Sequence, residues 1–454
     1  MHLIKKYENK GAEFVDLRVT ELNFEAISTD DGKISSIQSS FSKEFSVRVF
    51  INGSWGFSYC HKEKDLKRCF EKAFKLAKTG SKYKRDVFNL SNIPREKGKF
   101  SSKGSPMDVE LEDKLKVVFD VYKGFNLKEI VNKNVEVSFT QKKQEYFNSN
   151  GSNLFEQRNY FNFLISITGK RGDKIRRVYE RVGKCAPYRV FLKTKFSDIV
   201  SSLQERLKLL FVAKKAPAGK LPLVIDNTLA QVFFHEAVGH ACEADSIIEK
   251  SSVFVGKLGE KVAPGFLTLR DTPKVKHEHG FYRYDDEGVK GKGTVLIKNG
   301  VLVNYLYSLE TASKLNMKPT GNGRAENGSS FPIPRMSNTV LDNGDYNVEE
   351  LFEGIKRGIY AKNSSGGIVE PTTGNFLFNA REAYLIENGE ITKPLLDVSF
   401  GGNILSTLMK IEKIANDQKP SFGGWRCGKQ GQMVPVGGAS PHIMISEAIV
   451  GGSK

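Results

Sequence analysis

The sequence has 454 residues, of which 39% are hydrophobic and 27% charged, so it is long enough for two or three domains with sizeable cores. Its net charge is +17, and most of the surplus lies in residues 51–100, with 13 basic and 5 acidic side chains, and in residues 151–200, with 11 and 4. The apolar runs are too short to span a bilayer, which excludes helical membrane proteins. No apolar segment of signal-peptide length follows the lysines at positions 5 and 6, so we expect a cytoplasmic location.

The first half is predicted to form an α+β domain, with helices packed on a mainly antiparallel sheet. Alternation of apolar and polar residues predicts strands at residues 12–20, 45–51, 135–140, 144–147 and 161–168. Asn52-Gly53 and Asn150-Gly151 are typical of hairpin turns. Helical spacing of apolar residues predicts helices at residues 62–78, 111–125 and 199–211. Residues 80–107, rich in Lys, Ser, Gly and Pro, are predicted to be a long exposed connection.

We place a domain boundary at residues 216–219, which gives a first domain of residues 1–218 and a second of residues 219–454. The second domain is predicted to be mostly β and to carry one metal-binding helix. That helix follows a strand at residues 221–225, begins at about Leu229, and has Asp226 or Asn227 as its N-cap. Further predicted elements are hairpins of residues 295–298 with 301–307 and of 383–387 with 390–393, and a short helix at residues 348–358.

The segment of residues 233–243, with the sequence Phe-Phe-His-Glu-Ala-Val-Gly-His-Ala-Cys-Glu, is the first candidate site. Imidazoles suit zinc, and the acidic Glu236 beside His235 suits a general base. His235 and His240 are five residues apart, however, which on a regular α-helix places them about 140° apart. A π-bulge would bring them together, and Gly239 would ease the irregular backbone or allow close packing. The spacing alone also fits a buried helix with two hydrogen-bonded histidines.

Other segments follow in an order that resembles a known family. They are residues 285–288 (Asp-Asp-Glu-Gly), 319–324 (Pro-Thr-Gly-Asn-Gly-Arg), 334–339 (Pro-Arg-Met-Ser-Asn-Thr), 358–361 (Gly-Ile-Tyr-Ala), 382–389 (Glu-Ala-Tyr-Leu-Ile-Glu-Asn-Gly) and 423–438 (Gly-Gly-Trp-Arg-Cys-Gly-Lys-Gln-Gly-Gln-Met-Val-Pro-Val-Gly-Gly). Together with the histidine motif, this series resembles the TldD branch of the TldD/TldE (PmbA) metalloprotease family. The resemblance is dense over residues 219–454 and looser in the first half, where it is best at residues 47–49 and 55–57. The TldE branch lacks the histidine–glutamate motif, so the motif favours the TldD branch.

The resemblance implies that His235, His240 and Cys427 bind zinc and that Glu236 is the catalytic base. Two imidazoles, one thiolate and one position left for water are expected of a catalytic zinc. Glu236 would take a proton from the zinc-bound water and pass it to the leaving amine. The alternatives are a reduced cysteine in a glycine-rich turn for Cys427 and a surface carboxylate for Glu236.

Several other polar residues are candidates with two possible roles. Glu243, Asp245 and Asp285 could orient the ligand histidines or could be ordinary salt-bridging or capping acids. Arg324 and Arg335 could bind peptide carbonyls or polarise the scissile group, or could form structural salt bridges. We expect His277 and His279 to lie in a mobile loop, and we interpret His442 as incidental.

The five cysteines are odd in number and widely scattered, which indicates reduced thiols rather than a disulfide framework: Cys60, Cys69, Cys185, Cys242 and Cys427. Cys242 lies beside the motif but would point about 200° away from His240 on a helix. We therefore interpret Cys242 as a small buried hydrophobe.

The predicted function is that of a zinc-dependent peptidase that hydrolyses unfolded or extended peptides with low sequence specificity. By the resemblance, peptides would pair with a sheet edge, and the chain would work as a homodimer or as a heterodimer with a TldE-like chain. The alternative is a non-catalytic binding protein associated with nucleic acid or gyrase, which the older family label of gyrase modulator and the basic first half suggest. Because no nucleic-acid-binding motif accompanies the charge, nucleic acid is not an expected partner.

Overall fold

The computed structural model describes residues 2–83, 88–420 and 423–452. In the first half these residues form α1 His2–Glu8, β1 Phe14–Asp30, β2 Lys33–Ile51, β3 Ser54–Cys60, α2 Leu66–Ser81, β4 Lys97–Ser101, α3 Leu111–Lys123, β5 Ile130–Asn148, β6 Asn153–Arg171, β7 Lys174–Cys185, α4 Tyr188–Leu192 and α5 Phe196–Val212. Short 3₁₀ turns cover Glu63–Asp65 and Pro106–Asp108. The predicted α+β class is confirmed for this half.

The strands of the first half form one sheet in the order β3-β2-β1-β5-β6-β4, and β7 also pairs with β6. All neighbours are antiparallel except β4, which runs parallel to β6. One end of the sheet packs on α1 and α2, and the other end packs on α3 and α5. At Gly56 the helix α2 lies so close to β3 that an added Cβ would come within 1.8 Å of the Ala73 carbonyl oxygen, which explains a glycine between Trp55 and Phe57.

The structure corrects two predictions in this half. Residues 135–140 and 144–147 are parts of the single strand β5, because the polar residues between them continue the pairing with β1 and β6. Residues 80–107 are not only a connection, since β4 joins the sheet edge there, and residues 84–87 lie outside the described part of the chain. The turn at Asn52-Gly53 is confirmed, with φ of 44° and 76°.

In the second half the described residues form β8 Lys214–Lys215, β9 Gly219–Ile225, α6 Asn227–Phe234, α7 Ala244–Ile248, β10 Leu269–Asp271, β11 Thr294–Lys298, β12 Val301–Leu302, α8 Leu309–Lys314, β13 Gly323–Arg324, β14 Ile333–Pro334, β15 Asn338–Leu341, β16 Arg357–Glu370, β17 Asn375–Glu387, β18 Glu390–Leu396, β19 Ser399–Asn403, α9 Ile404–Met409, β20 Ile411–Ile414, β21 Lys419–Pro420, β22 Trp425–Lys429, β23 Gln432–Ser440 and β24 Ile443–Gly451. Between α6 and α7 lie a π-helical turn, His235–Gly239, and a 3₁₀ turn, His240–Cys242. A further 3₁₀ turn covers Glu349–Leu351.

The largest sheet of this half closes on itself, because β16 pairs with both β9 and β17 along the path β16-β9-β24-β19-β17. The helix α6 leaves the end of β9 and packs into the apolar core beside this sheet. The Phe233 ring lies 5.5 Å from the Phe376 ring and 6.0 Å from the Phe378 ring. A second sheet contains β12-β11-β10-β15-β23-β21, and β22 pairs with β23. The mostly β second half with one metal-motif helix is as predicted.

Two predicted elements of the second half are wrong in extent. The strand at residues 301–307 ends at Leu302, and the chain leaves the sheet so that Leu306 can bridge Glu243. The helix at residues 348–358 is reduced to one 3₁₀ turn, because Gly354 adopts φ 82°, which an α-helix cannot contain. The two-domain division at residue 218 remains a prediction.

A buried ionic junction joins the two halves. Arg48 on β2 contacts Asp16 on β1, with Nε 3.1 Å from Oδ2, and Nη1 lies 2.6 Å from Oε1 of Glu287. Glu287 also accepts a hydrogen bond from the Leu309 backbone N–H. This junction accounts for two of the family-like segments, residues 47–49 and 285–288.

Within the described ranges, no helix is long and apolar enough to cross a membrane. All five cysteines are free, in agreement with the prediction of reduced thiols.

Candidate metal centre

The helix α6 is capped by the residue that precedes it, and it ends in the predicted π turn. The Asp226 carboxylate accepts a hydrogen bond of 2.9 Å from the Leu229 N–H, so Asp226 is the N-cap. The regular helix ends at Phe234, and residues 235–239 form a π turn in which the His240 N–H donates to the His235 carbonyl. The predicted π-type turn is therefore confirmed, and it brings both imidazoles to one side of the helix.

Gly239 serves close packing in this turn rather than an unusual backbone conformation. Its φ of −56° is ordinary for a helix. An added Cβ would meet the Met336 side chain at 2.9 Å, and Met336 is fully buried. Any larger residue would push the π turn away from the segment that carries Met336.

Cys427 reaches the helix through a hairpin far along the chain. It lies on β22, opposite Val434 on β23, and β23 runs parallel to β15. Thr339 on β15 places its hydroxyl 3.5 Å from Nδ1 of His235. The pairing of β15, β23 and β22 thus spans the gap between the helix and the thiol.

His235, His240 and Cys427 converge, and their candidate ligand atoms all lie within 4.8 Å of one another. The Cys427 Sγ lies 3.1 Å from Nε2 of His240, and the two imidazole rings are 5.3 Å apart at an interplanar angle of 83°. Glu236 borders the cluster, with Oε2 3.6 Å from Nε2 of His240, and its side chain is 30% exposed. The Trp425 ring lies 6.1 Å from the His235 ring.

The orientation of His240 is set by Glu243. Nδ1 of His240 lies 3.0 Å from Oε2 of Glu243, which leaves Nε2 facing Cys427. A carboxylate behind a histidine in this way fixes the tautomer and raises the basicity of the ligand nitrogen. Burial would lower the pKa of His240, but Glu243 and Cys427 raise it well above its usual value.

Glu243 is itself held by two cations. Lys429 Nζ lies 3.0 Å away and Arg335 Nε 3.6 Å away. Burial would raise the pKa of Glu243, but Lys429 and His240 lower it to about 2. Lys429 also contacts Asp245 at 2.7 Å, so this lysine links Asp245 to Glu243.

Arg335 ties the thiol-bearing strand to the same network. Its Nη2 donates to the Cys427 carbonyl at 2.6 Å, and its Nη1 donates to the Gln432 carbonyl at 3.2 Å. Arg335 is completely buried and positions the hairpin. These contacts agree with the structural one of its two expected roles.

The residues present fit a zinc ion in two observable ways. Nε2 of His235 is buried and has no hydrogen-bond partner among the described residues, so this nitrogen is free for a cation. Burial would raise the pKa of the Cys427 thiol, but the two histidines lower it to about 5, which gives the thiolate form that binds metal. Two imidazoles and a thiolate favour zinc over magnesium or calcium.

Other sequence candidates lie elsewhere. Asp285 accepts hydrogen bonds from the N–H groups of Glu287, Val289 and Gly323, so it stabilises a turn and does not orient the histidines. Arg324 donates to the carbonyls of Met336 and Pro435 and lines a cleft next to the centre. Cys242 is buried outside the cluster, as predicted.

His279 and His442 both lie outside the cluster. His279 is in a turn but is buried, with Nδ1 3.0 Å from the Trp425 carbonyl, and burial lowers its pKa to about 4. His442 is incidental to the metal cluster, as expected, and joins the Tyr360 hydroxyl at 3.0 Å to the Asp417 carboxylate at 2.9 Å. Its neighbours are hydrogen-bonding groups that stabilise the sheet, and it is not part of the cluster.

The positions of Thr339, Lys429 and Trp425 beside the centre were not predicted from the sequence. For Lys429 and Trp425 the sequence contained the necessary pattern. Both lie two positions from Cys427, and residues two apart on a strand share a face. Thr339 had no local signal, because its relation to His235 depends on the pairing of β15 with β23.

The chain resembles known metalloproteases over almost its whole length. The family profile of the PmbA/TldA metallopeptidase C-terminal domain matches residues 218–452, and that of the PmbA/TldA metallopeptidase domain 1 matches residues 15–77. A metalloprotease of Methanocaldococcus jannaschii is 38% identical over 94% of this chain and 94% of its own. A zinc metalloprotease TldD homolog of Saccharolobus solfataricus is 29% identical over 99% of each chain.

Solved structures share the fold. A candidate DNA gyrase modulator from Thermotoga maritima matches with a TM-score of 0.82 and 22% identity, over 99% of this chain and 98% of its own. TldE from Thermococcus kodakarensis matches with a TM-score of 0.79 and 20% identity, over 99% of each chain. The chain belongs to the PmbA/TldD metallopeptidase family.

Proposed function

We propose that this member of the PmbA/TldD metallopeptidase family is a zinc-dependent peptidase of the TldD branch. It would hydrolyse unfolded or extended peptides with low sequence specificity. The observation that carries the proposal is the convergence of His235, His240 and Cys427 through a π turn, with Glu236 beside them. A binding protein has no need for this arrangement of three metal-ligand side chains next to a carboxylate.

In this proposal His235, His240 and Cys427 hold the zinc ion, and Glu243 and Arg335 hold the ligands in place. Bound zinc would supply Lewis acidity, polarising water and the peptide carbonyl. Glu236 accepts a proton from a water molecule at its carboxylate and donates that proton to the amine nitrogen that leaves. Its partial exposure suits this role, because a carboxylate that exchanges protons with water must reach water.

The assembly is proposed to be a homodimer or a heterodimer with a TldE-like chain. The family resemblance supports this proposal, and the TldE structure from Thermococcus kodakarensis shares the fold. Light scattering of the purified chain, alone and mixed with a TldE-like chain, separates the two forms. A chain that stays monomeric in both samples would remove this part of the proposal.

The test of the catalytic proposal compares Glu236→Gln with His235→Ala. Glu236→Gln should keep bound zinc and the fold, while hydrolysis of an unfolded peptide falls by about 10²- to 10⁴-fold because the base is lost. His235→Ala should lose zinc and activity together. Glu249→Gln changes an exposed acid directly after α7, outside the cluster, and as the matched control it should keep both.

The measurements are zinc content by atomic spectroscopy and cleavage of one unfolded peptide by all four proteins. Full activity of Glu236→Gln would transfer the proton-transfer role to another acid. If the wild type cleaves no unfolded peptide, alone or with a TldE-like chain, the binding-protein alternative takes the place of the peptidase.

A further inference from the structure

A cleft of about 650 Å³ lies between the first sheet and the hairpin that carries Cys427. Leu22 and Phe24 on β1 line one wall, and Trp425 and Met433 line the other. The Trp425 ring is also 6.1 Å from the His235 ring, so the cleft borders the candidate metal centre. A peptide that reaches the centre through this cleft would pass between the two halves of the chain.

The buried part of the cleft is positively charged. Lys142, Arg158 and Arg324 line it and are each less than a tenth exposed, and Asp286 is the acidic residue of the lining with similar burial. Asp286 is already engaged, because one oxygen lies 3.4 Å from Lys142 Nζ and the other accepts a hydrogen bond of 2.8 Å from the Ala325 N–H. One carboxylate therefore faces three buried cations.

Arg158 differs from Lys142 and Arg324 in that it has no direct hydrogen-bond or ion-pair partner among the described residues. It is 5% exposed, and no residue in the described part of the chain forms a hydrogen bond or ion pair with its guanidinium, whose Nε is buried without an acceptor. Its guanidinium carbon lies 6.0 Å from the Tyr282 ring. Burial would lower the pKa of Arg158, but the longer-range attraction of Tyr160, Glu156 and Asp286 raises it. Glu156, two residues earlier on β6, accepts hydrogen bonds from the N–H groups of Arg283 and Tyr284 instead.

A buried, unpaired guanidinium destabilises a fold unless a ligand pairs with it. The planar guanidinium of an arginine can form two parallel hydrogen bonds with one carboxylate. The ammonium of a nearby lysine adds positive charge, but its hydrogen bonds have no fixed geometry. Two of the five N–H groups of Arg324 donate to the carbonyls of Met336 and Pro435, which holds this side chain in place, and its charge adds to that of the cleft. The cleft thus has the donor set for one anionic group.

We propose that Arg158 and Lys142 form a subsite for a carboxylate of the peptide substrate. The identification of the ligand as a peptide rests on the proposed function. The carboxylate is either the free carboxyl terminus of the peptide or an Asp or Glu side chain. Such a subsite would add a preference for a carboxylate at one position to otherwise low sequence specificity.

The test measures peptide binding to zinc-loaded Glu236→Gln protein, which should bind without cleavage. Three fluorescent peptides share one extended sequence without acidic residues: a free acid, its carboxy-terminal amide, and the amide with one Glu added near its end. We expect the free acid to bind about 10- to 100-fold more tightly than the plain amide, the range for a hydrogen-bonded charged pair. Adding Arg158→Met to Glu236→Gln should remove this difference.

Two further variants separate a specific subsite from general attraction. Arg158→Lys keeps the charge but loses the planar fork, so it should retain part of the preference. Arg181→Met removes an exposed arginine at the rim of the same cleft and should leave the ratio of the affinities unchanged. Zinc content and thermal unfolding of each variant verify that the fold and the centre are intact.

Each outcome decides the proposal. Tighter binding of the free acid alone identifies the carboxyl terminus, and tighter binding of the Glu peptide alone identifies a side chain, provided that Arg158→Met removes the effect. Equal affinities, or a preference that survives Arg158→Met, overturn the subsite. Wild-type cleavage without carboxylate preference would leave the peptidase proposal standing, whereas carboxylate preference without wild-type cleavage would leave only the subsite.

Discussion

Two buried arginines on the first sheet differ in how the fold treats their charge. Arg48 contacts the carboxylates of Asp16 and Glu287, and all three side chains are almost fully buried. Arg158 is similarly buried but has no such partner in the described part of the chain. The ion pairs of Arg48 join the two halves of the molecule, whereas Arg158 faces an open cleft.

The difference separates a structural charge from one that is available to a ligand. The candidate metal centre follows the first pattern, since Glu243 is surrounded by His240, Lys429 and Arg335. Charge matching within the chain holds side chains in position, as required for ligands to a metal. A buried guanidinium that has no direct ion-pair partner can form such a pair when a ligand of opposite charge binds in the cleft.

The largest expected effect is that of Arg48→Met on stability. This change leaves Asp16 and Glu287 buried without their cation and should lower the free energy of unfolding by about 3–5 kcal/mol. Denaturant unfolding measures it. Combining Arg48→Met with Asp16→Asn and Glu287→Gln should recover part of the loss, and a single variant as stable as the wild type would contradict the structural role.

Glu243→Gln should have the next largest effect, on metal binding. Loss of the carboxylate behind His240 should weaken zinc affinity about 10- to 100-fold, which corresponds to about 1.4–2.8 kcal/mol. Competition with a zinc chelator measures the affinity. Asp245→Asn, at a position that Lys429 links to Glu243, should have a smaller effect, and equal effects of the two variants would argue against direct orientation by Glu243.

Arg158→Met should have little effect on stability, in contrast to Arg48→Met. Arg158 forms no ion pair in the described part of the chain, and its longer-range attraction to Asp286 is shared with Lys142 and Arg18, so its removal should change the free energy of unfolding by no more than about 1 kcal/mol. The same denaturant experiment on both arginine variants tests the comparison directly. A loss of several kcal/mol for Arg158→Met would show that its charge is matched after all.

The smallest expected effect concerns Asp286→Asn and pH. Burial would raise the pKa of Asp286, but Lys142, Arg18 and Arg158 hold it below its usual value. A lowered folded pKa contributes stability that is present above the unfolded value of about 3.9 and is lost as the pH falls below it. Asp286→Asn should therefore lose less stability between pH 5 and pH 3 than the wild type, measured as urea midpoints; equal losses would contradict this assignment.

The sequence alone predicted the elements whose pattern is local. The change from alternating to helical periodicity located the strands and the amphipathic helices of the first half, and Asn-Gly pairs located hairpin turns. Predictions failed where tertiary contacts override local preference. Leu306 leaves a strand-like segment to bridge Glu243, and Gly354 ends a helix-like one with φ 82°.

The features of the candidate site can also be divided into those predicted from the sequence and those set by tertiary contacts. The spacing of His235 and His240 predicted the π turn on the premise that both bind one metal, because two side chains five residues apart share a helix face only when one turn is widened. The sequence also made Glu236 and, through the family resemblance, Cys427 candidates for the site. Only the tertiary structure decided that Cys427 meets the histidines, because the pairing of β22 and β23 with β15 bridges 187 residues between His240 and the thiol. It alone decided that Arg48 forms direct ion pairs and that Arg158 forms none within the described residues, since Glu287 contacts Arg48 while Arg158 faces the cleft.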